Sequence, residues 1–270
     1  MKNMRISIVT ATWNSAATVG DTLRSVVAQV LPEGVEVEHV VVDGASADAT
    51  AAVVEGMRGE YERRGMALRW VSEPDKGIYD AMNKGVRLAT GDVVGILNSD
   101  DFFSDEGVLA AVARELAQGE ADAVYGDIHY VRGEDLTRCV RYYSSRWFRR
   151  WMMVMGYQPA HPSFYCRREC YERYGAFDIS LRIAADFENM LRLIYKNGIS
   201  TRYVQMDFVT MREGGASTDG LGSHMRILRE HYRAYRKNGV YAGYCLDVLR
   251  YPLKLIEVAV SRAFPDALKR

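Results

Sequence analysis

Short β-branched runs alternate with segments of helical apolar spacing through the first hundred residues, and no other property limits the fold of this chain so tightly. Residues 5–10 (RISIVT) have the length and branching of a strand, and Val19, Leu23, Val26, Val27 and Val30 behind them predict a helix. The same reading predicts strands at 37–42, 68–71 and 93–97 and helices at 49–64 and 78–88. Strands this apolar on both faces belong inside a parallel sheet covered by helices, so the fold class is α/β. Ligands of such sheets sit outside the carboxyl ends of the strands, which directs the search to residues 10–14, 43–46, 72–77 and 98–101.

Beyond Asp105 the rhythm changes. A helix is expected at 107–118, a strand at 123–125 and aromatic, arginine-rich strands or loops as far as 150. A Pro159-Ala160-His161-Pro162 turn, a strand at 163–166 and a helix from Ala184 to a stop at Gly198 follow. Two helices, 224–237 and 241–264, close the chain, the second interrupted at Pro252. The expected organisation is one domain over 1–217, divided into halves 1–105 and 106–217, with a helical extension over 218–270.

Charge and cysteine content narrow the function. With 35 Lys+Arg against 35 Asp+Glu the chain is not a dedicated nucleic-acid binder. The stretch 224–270, however, holds ten basic and four acidic residues, a net +6 balanced by −6 elsewhere. It is read either as an anionic-surface contact or as solvated helix faces. Four dispersed cysteines without a CxxC pair, and the lack of a signal-like or membrane-spanning segment, lead to the expectation of reduced thiols and a cytoplasmic setting.

The first strand-to-helix turn, Thr10-Ala11-Thr12-Trp13-Asn14, has no glycine, and neither GxGxxG nor GxxxxGK[ST] occurs. Hydride transfer and P-loop phosphoryl transfer are therefore demoted. The turn is suited to a nucleotide base, or else Ser15 or Thr18 caps the next helix beside a buried Trp13. Asp43 is placed to accept from a ribose or base, or is a turn aspartate before Gly44. In Gly95-Ile96-Leu97-Asn98-Ser99-Asp100-Asp101 a buried strand ends in adjacent carboxylates, which is costly unless a cation lies between them. A hard divalent ion shared with a diphosphate meets that demand, whereas an N-cap role for Asp100 accounts for only one acid.

The run Ser72-Glu73-Pro74-Asp75-Lys76-Gly77-Ile78-Tyr79-Asp80-Ala81-Met82-Asn83-Lys84-Gly85, then Ala89-Thr90-Gly91-Asp92 and Leu97 to Asp101, resembles the family 2 glycosyltransferases of GT-A fold, in particular the branch that builds bacterial exopolysaccharide, colanic-acid-like and O-antigen units. The resemblance covers about 5–217. It implies a GT-A, Rossmann-like sheet and an inverting, metal-dependent hexosyltransferase. Thr10, Thr12, Asn14 and Asp43 then hold the nucleoside of a UDP- or GDP-linked sugar, and Asp100 lies near ribose and metal. Asp101 becomes the more direct ligand of Mn²⁺ or Mg²⁺. Asp75, Asp80 and Asn83 line the diphosphate and donor sugar. Asp186, in Ile183-Ala184-Ala185-Asp186-Phe187-Glu188, inherits the role of catalytic base, with Glu188 as the reserve candidate; Ala185 stands where relatives carry glutamate, and Asn98 where many carry aspartate.

His161 and Ser217, the latter in Gly214-Gly215-Ala216-Ser217, are implied contacts of acceptor or diphosphate, although a structural histidine is an equal reading of His161. Tyr142, Tyr143, Trp147, Phe148 and Trp151 are either core or a platform for acceptor sugars. The implied acceptor is a saccharide, polyprenyl-diphosphate-linked, met at the inner membrane face through the C-terminal helices, which otherwise pack on the core. Competing readings are a non-catalytic sugar-nucleotide-binding regulator and a sugar-1-phosphate nucleotidyltransferase, the second disfavoured by the absence of a glycine-rich basic loop after the first strand.

Overall fold

The computed structural model describes residues 3–133, 135–213 and 220–241, without side chains for 220–224. The parallel sheet that the alternation calls for is present. Strands β1 (Met4–Thr12), β2 (Val35–Asp43), β3 (Ala67–Ser72) and β4 (Val93–Ile96) pair in parallel in the order β3-β2-β1-β4. The sheet continues through β5 (Phe102–Phe103), β6 (Ala123–Arg132), β7 (Asp135–Tyr143), β8 (Tyr165–Arg167) and β9 (Thr201–Arg212). Its full order is β3-β2-β1-β4-β8-β6-β9-β5, with β7 beside β6. The β4–β8, β8–β6, β6–β7 and β9–β5 pairs are antiparallel, while β6 and β9 are parallel.

Helices α1 (Val19–Val27), α2 (Thr50–Gly56), α3 (Arg58–Arg63), α4 (Ile78–Leu88) and α5 (Val108–Ala117) fill the connections of the first half. The period-2 pattern of β1 sends Ile6 and Ile8 into one apolar cluster with Leu23, Val26 and Leu109, and Val9 and Ala11 into another with Met82, Val86 and Phe187. Helices α6 (Arg168–Tyr174), α7 (Ala185–Met190) and α8 (Gly220–Asn238) belong to the second half. The contacts of α8 are directed at α7: His231 stacks on Phe187 at 3.8 Å between centroids, and Asn238 donates to Glu188 at 3.0 Å.

Several expectations shift. The helix expected over 49–64 breaks at Met57 into α2 and α3, where Gly56 and Gly59 weaken helical propensity. The strand expected at 163–166 starts later, because His161–Ser163 forms a 3₁₀ turn. The helix from Ala184 passes into a π-helical segment, Leu191–Lys196. The long β9 is unforeseen; its Arg202, Gln205 and Asp207 dilute the apolar signal, and its partners come from distant sequence. The helix expected over 241–264 lies outside the described residues except for Tyr241.

The junction of the two halves depends on Gly95 of β4. A Cβ there would meet the Tyr165 ring at 2.2 Å, and Tyr165 is fully buried. Gly95→Ala should therefore destabilise the fold by about 1–3 kcal/mol through overpacking. Denaturant unfolding of the variant is the check; an unchanged midpoint would show that the tyrosine is free to yield.

Candidate active site

The loops after β1 and β2 are fastened to each other. Asn14 adopts φ 48°. Its N–H donates to Ser46 Oγ at 2.7 Å, and its Oδ1 accepts from the Ala47 N–H at 2.9 Å. Asp43 closes β2 in a buried position and accepts from the Ser46 N–H at 3.0 Å, the Ser72 hydroxyl at 2.6 Å and the Ser46 hydroxyl. Thr12 Oγ1 is buried at the cleft edge without a hydrogen-bond partner among the described residues. Trp13 is 67% exposed rather than buried, and faces the gap over Gly44. A Cβ on Gly44 would lie 2.5 Å from Asp75 Oδ2 and 3.4 Å from Trp13 Cδ1, so glycine is what admits the Asp75 carboxylate there.

Thr10 lies deeper. Its hydroxyl donates to the Leu97 carbonyl at 2.7 Å and accepts from His39 Nε2 at 2.8 Å. Burial pushes His39 down to about 3, so the ring is neutral, and its Nδ1 accepts from the Tyr61 hydroxyl at 2.6 Å. Asp75 and Asp80 shape the entrance to α4 by accepting the Gly77 and Lys76 N–H groups at 2.8 and 3.0 Å. Both ends of the Asn83 amide bond the Phe177 backbone at 2.8 Å, which fastens α4 to the second half.

The turn after β4 is held from three directions. The Thr22 hydroxyl donates to the Asp101 carbonyl at 2.7 Å, and Ser15 and Ser99 hydroxyls meet at 2.9 Å. Arg212, at the end of β9, donates to the Asp100 carbonyl at 2.6 Å and pairs with Asp21. Asp101 is 1% exposed and accepts from Asn98 Nδ2 at 3.3 Å. Burial first, then the charge of Asp100, holds its pKa well above the usual carboxylate range, against the opposing pull of Asn98 and Arg212. Asp101 Oδ1 and Asn98 Oδ1 are buried without hydrogen-bond partners among the described residues. Hard oxygen donors left unsatisfied in this way fit a divalent cation. No group of three His, Cys, Asp or Glu converges on a metal position among the described residues, so diphosphate and water oxygens would have to complete the shell.

From that turn a polar chain crosses into the second half. Asn98 Nδ2 lies 3.3 Å from His161 Nε2, and His161 Nδ1 lies 3.6 Å from Asp186 Oδ2. Burial lowers the His161 pKa despite the pull of Asp186 and Asp100. With the Asn98 amide donating to Nε2, the neutral ring carries its proton on Nδ1, toward Asp186. Asp186 sits in the first turn of α7. Gln158 Nε2 donates to its Oδ2 at 3.0 Å, and the Tyr79 hydroxyl lies 3.3 Å from its Oδ1 while donating to the Ile183 carbonyl at 2.7 Å. Glu188 is fully buried and paired with Arg192 at 3.0 Å. Ser217 lies outside the described residues.

Tyr79, Gln158, Arg212 and Glu230 were not singled out from sequence. Tyr79 stands inside the motif-bearing segment; the other three have no local signal, since their partners are 28 or more residues away. Glu230 of α8 accepts three backbone N–H groups at the entrance to α7, from Arg182 at 3.1 Å and from Ile183 and Ala184 at 2.9 Å.

The family model described as Glycosyl transferase family 2 matches residues 7–169. An uncharacterized glycosyltransferase of Mycobacterium tuberculosis is 32% identical over 222 residues, 81% of this chain and 77% of the relative. A PGL/p-HBAD biosynthesis glycosyltransferase of Mycobacterium bovis is 29% identical over 213 residues, 77% of each chain. Among solved structures, Staphylococcus aureus TarS 1-349 in complex with UDP-GlcNAc gives a TM-score of 0.66 at 19% identity, covering 86% of this chain and 66% of that one. The chain thus spans just under two-thirds of that structure. The mannosyltransferase PcManGT of Pyrobaculum calidifontis, in complex with GDP-Man and Mn²⁺, gives 0.64 at 22% identity, covering 99% of this chain and 76% of that one. These likenesses place the mixed sheet among GT-A folds.

The Glu230 clamp has a measurable consequence. Glu230→Ala removes the acceptor of several backbone donors and should cost about 3 kcal/mol, whereas Glu230→Gln, which keeps one acceptor oxygen, should cost about 1 kcal/mol. Urea unfolding gives the sizes, and amide exchange at Ile183 and Ala184 gives the location. Unchanged exchange at both amides in the alanine variant would remove the clamp from consideration.

Proposed function

The chain belongs to glycosyl transferase family 2, and on that premise we propose that it is an inverting enzyme moving a sugar from a nucleoside-diphosphate donor to a saccharide hydroxyl. The observation that carries this reading is the continuous chain Asp101–Asn98–His161–Asp186, which sets a carboxylate of the second half against the donor turn of the first. The complexes of structural neighbours with UDP-GlcNAc and GDP-Man support a sugar nucleotide as donor. The fastened 12–14 and 43–46 loops would bind the nucleoside, with the exposed face of Trp13 available for stacking on the base. Thr10 supports this floor from beneath, since its hydroxyl is committed to Leu97 and His39. Asp75 and Asp80 would shape the diphosphate and sugar pocket through the α4 entrance, and Asn83 would hold the pocket wall to Phe177.

Asp186 is the proposed base. Its carboxylate is partly buried, accepts from Gln158 at Oδ2, and lies beside the Tyr79 hydroxyl and His161. It would take the proton of the acceptor hydroxyl as that oxygen attacks the face of the anomeric carbon opposite the leaving diphosphate. One displacement suffices, with no covalent intermediate on the protein. Asp100 and Asp101, with the orphaned oxygen of Asn98, would hold Mn²⁺ or Mg²⁺, which when bound neutralises charge on the leaving diphosphate. The Mn²⁺ in the PcManGT complex supports that choice of cation.

The acceptor is proposed to belong to bacterial surface glycan assembly and to be lipid-linked at the inner face of the membrane; the similarity to a PGL/p-HBAD biosynthesis glycosyltransferase supports a biosynthetic role for the transfer. No helix among the described residues is long and apolar enough to cross a membrane.

Asp186→Asn keeps shape and removes the basic oxygen, so transfer should slow by ~10²- to 10⁴-fold. Donor affinity by calorimetry should remain near the wild-type value; transfer at the wild-type rate would exclude Asp186 as the base. Metal binding has its own test. Asp101→Asn should abolish the extra thermal stabilisation that Mn²⁺ adds to a nucleoside diphosphate, and full retention of that increment would exclude Asp101 as a ligand.

A further inference from the structure

Residues 136–168 contain seven arginines and no acidic residue, the longest stretch of single-sign charge in the chain. Midway along it, between β7 and the His161 turn, the chain reads Arg146-Trp147-Phe148-Arg149-Arg150-Trp151. The expectation that its aromatics act as a group does not hold. Tyr142 is buried and bonded to Asp127, and Phe148 packs edge-on against Tyr125 at 5.8 Å. Trp147 and Trp151, by contrast, are 71% and 61% exposed, and Arg146, Arg149 and Arg150 are exposed around them. The Arg146 guanidinium lies over the Trp147 ring, 5.5 Å from its centroid. Arg149 and Arg150 donate to backbone carbonyls, which leaves their full positive charge at the surface.

We propose that this loop is a docking surface for an anionic lipid bilayer, with Trp147 and Trp151 seated at headgroup level and the arginines paired with lipid phosphates. Indoles favour that zone because the ring is apolar and the N–H is wet, and arginine is suited to phosphate. A neutral saccharide would need stacking but not a cluster of cations, so the charge favours lipid over sugar. A second basic element adjoins the loop. Arg226, Arg229, Arg233 and Arg236 form one exposed stripe along α8, and Tyr235 of α8 donates to the Met153 carbonyl at 2.9 Å, just beyond Trp151.

The placement also serves the reaction. The Tyr143 hydroxyl, at the start of the loop, donates to the Gln158 carbonyl at 2.7 Å, and the Gln158 amide donates to Asp186. A bilayer seated on the loop would lie beside the proposed base, where the head of a lipid-linked acceptor must arrive. That consequence rests on the functional reading above; lipid contact itself does not.

The test uses the full chain, without donor, and vesicles of phosphatidylglycerol with phosphatidylcholine or of phosphatidylcholine alone. The wild type should float with the anionic vesicles and show a blue shift of tryptophan emission. Trp147→Ala with Trp151→Ala, and separately Arg146→Glu with Arg149→Glu, should each lower partition about tenfold or more. Both variants should keep the wild-type melting temperature and donor hydrolysis. Equal flotation of variants and wild type would overturn the proposal, as would wild-type binding that is absent or no stronger to anionic than to neutral vesicles. It would also be overturned if a soluble saccharide acceptor, and not vesicles, shifted the emission. Loop-dependent flotation by a chain that transfers no sugar would leave the lipid contact standing and reject the functional reading alone.

Discussion

The antiparallel pairing of β4 with β8 is the contact on which the site depends. Gly95 lies opposite Tyr165, so continuing that register by three residues brings Asn98, just past β4, opposite the turn that carries His161. A parallel pair could not do this, because the two elements would then approach the cleft from opposite ends. Gly95 leaves room for the Tyr165 ring, and the same join delivers the second half to the carboxyl edge of the first. The hydrogen bonds from Asn83 to Phe177 and from Tyr79 to Ile183 close the arrangement from α4.

Burial then determines the chemistry of the joined halves. Two adjacent acids, one of them fully enclosed, form a site in which burial and then the neighbouring Asp100 charge raise the Asp101 pKa well above the usual carboxylate range. Enclosed oxygens on Asp101 and Asn98 without hydrogen-bond partners among the described residues give the reason a cation would be taken up there. Asp186 has a different setting. It is partly open, accepts from Gln158 at Oδ2, and lies beside the Tyr79 hydroxyl and a His161 ring whose pKa burial lowers. In the proposed mechanism the two carboxylate positions would serve opposite tasks, one toward a metal-bound leaving group and one toward an attacking hydroxyl.

Much of this was legible in the sequence where periodicity and local motifs carry the information. The alternation located β1 to β4 and α4 closely, and the Asn98–Asp101 turn marked the sheet edge correctly because a strand ending in two acids needs a physical reason. The second half was less legible. β9 has a mixed polar pattern and pairs with β6 across about 80 residues, so nothing local marks it. A buried Trp13 belonged to one of the two readings of the first turn, yet the Gly44 gap beside it is occupied by Asp75 and the indole is left outside. Glu230 is invisible to local reading, because a glutamate on a basic helix resembles a solvated residue until its three backbone partners are seen.

A single displacement with Asp186 as base has a stereochemical signature that depends on no mutation. Proton NMR of the first product formed from a sugar nucleotide of known anomeric configuration reads it before mutarotation or side reactions intervene. Inversion at the anomeric carbon is the required result. Retention would demand either a covalent intermediate or same-face attack, and neither is compatible with the one-base arrangement built on Asn98, His161 and Asp186.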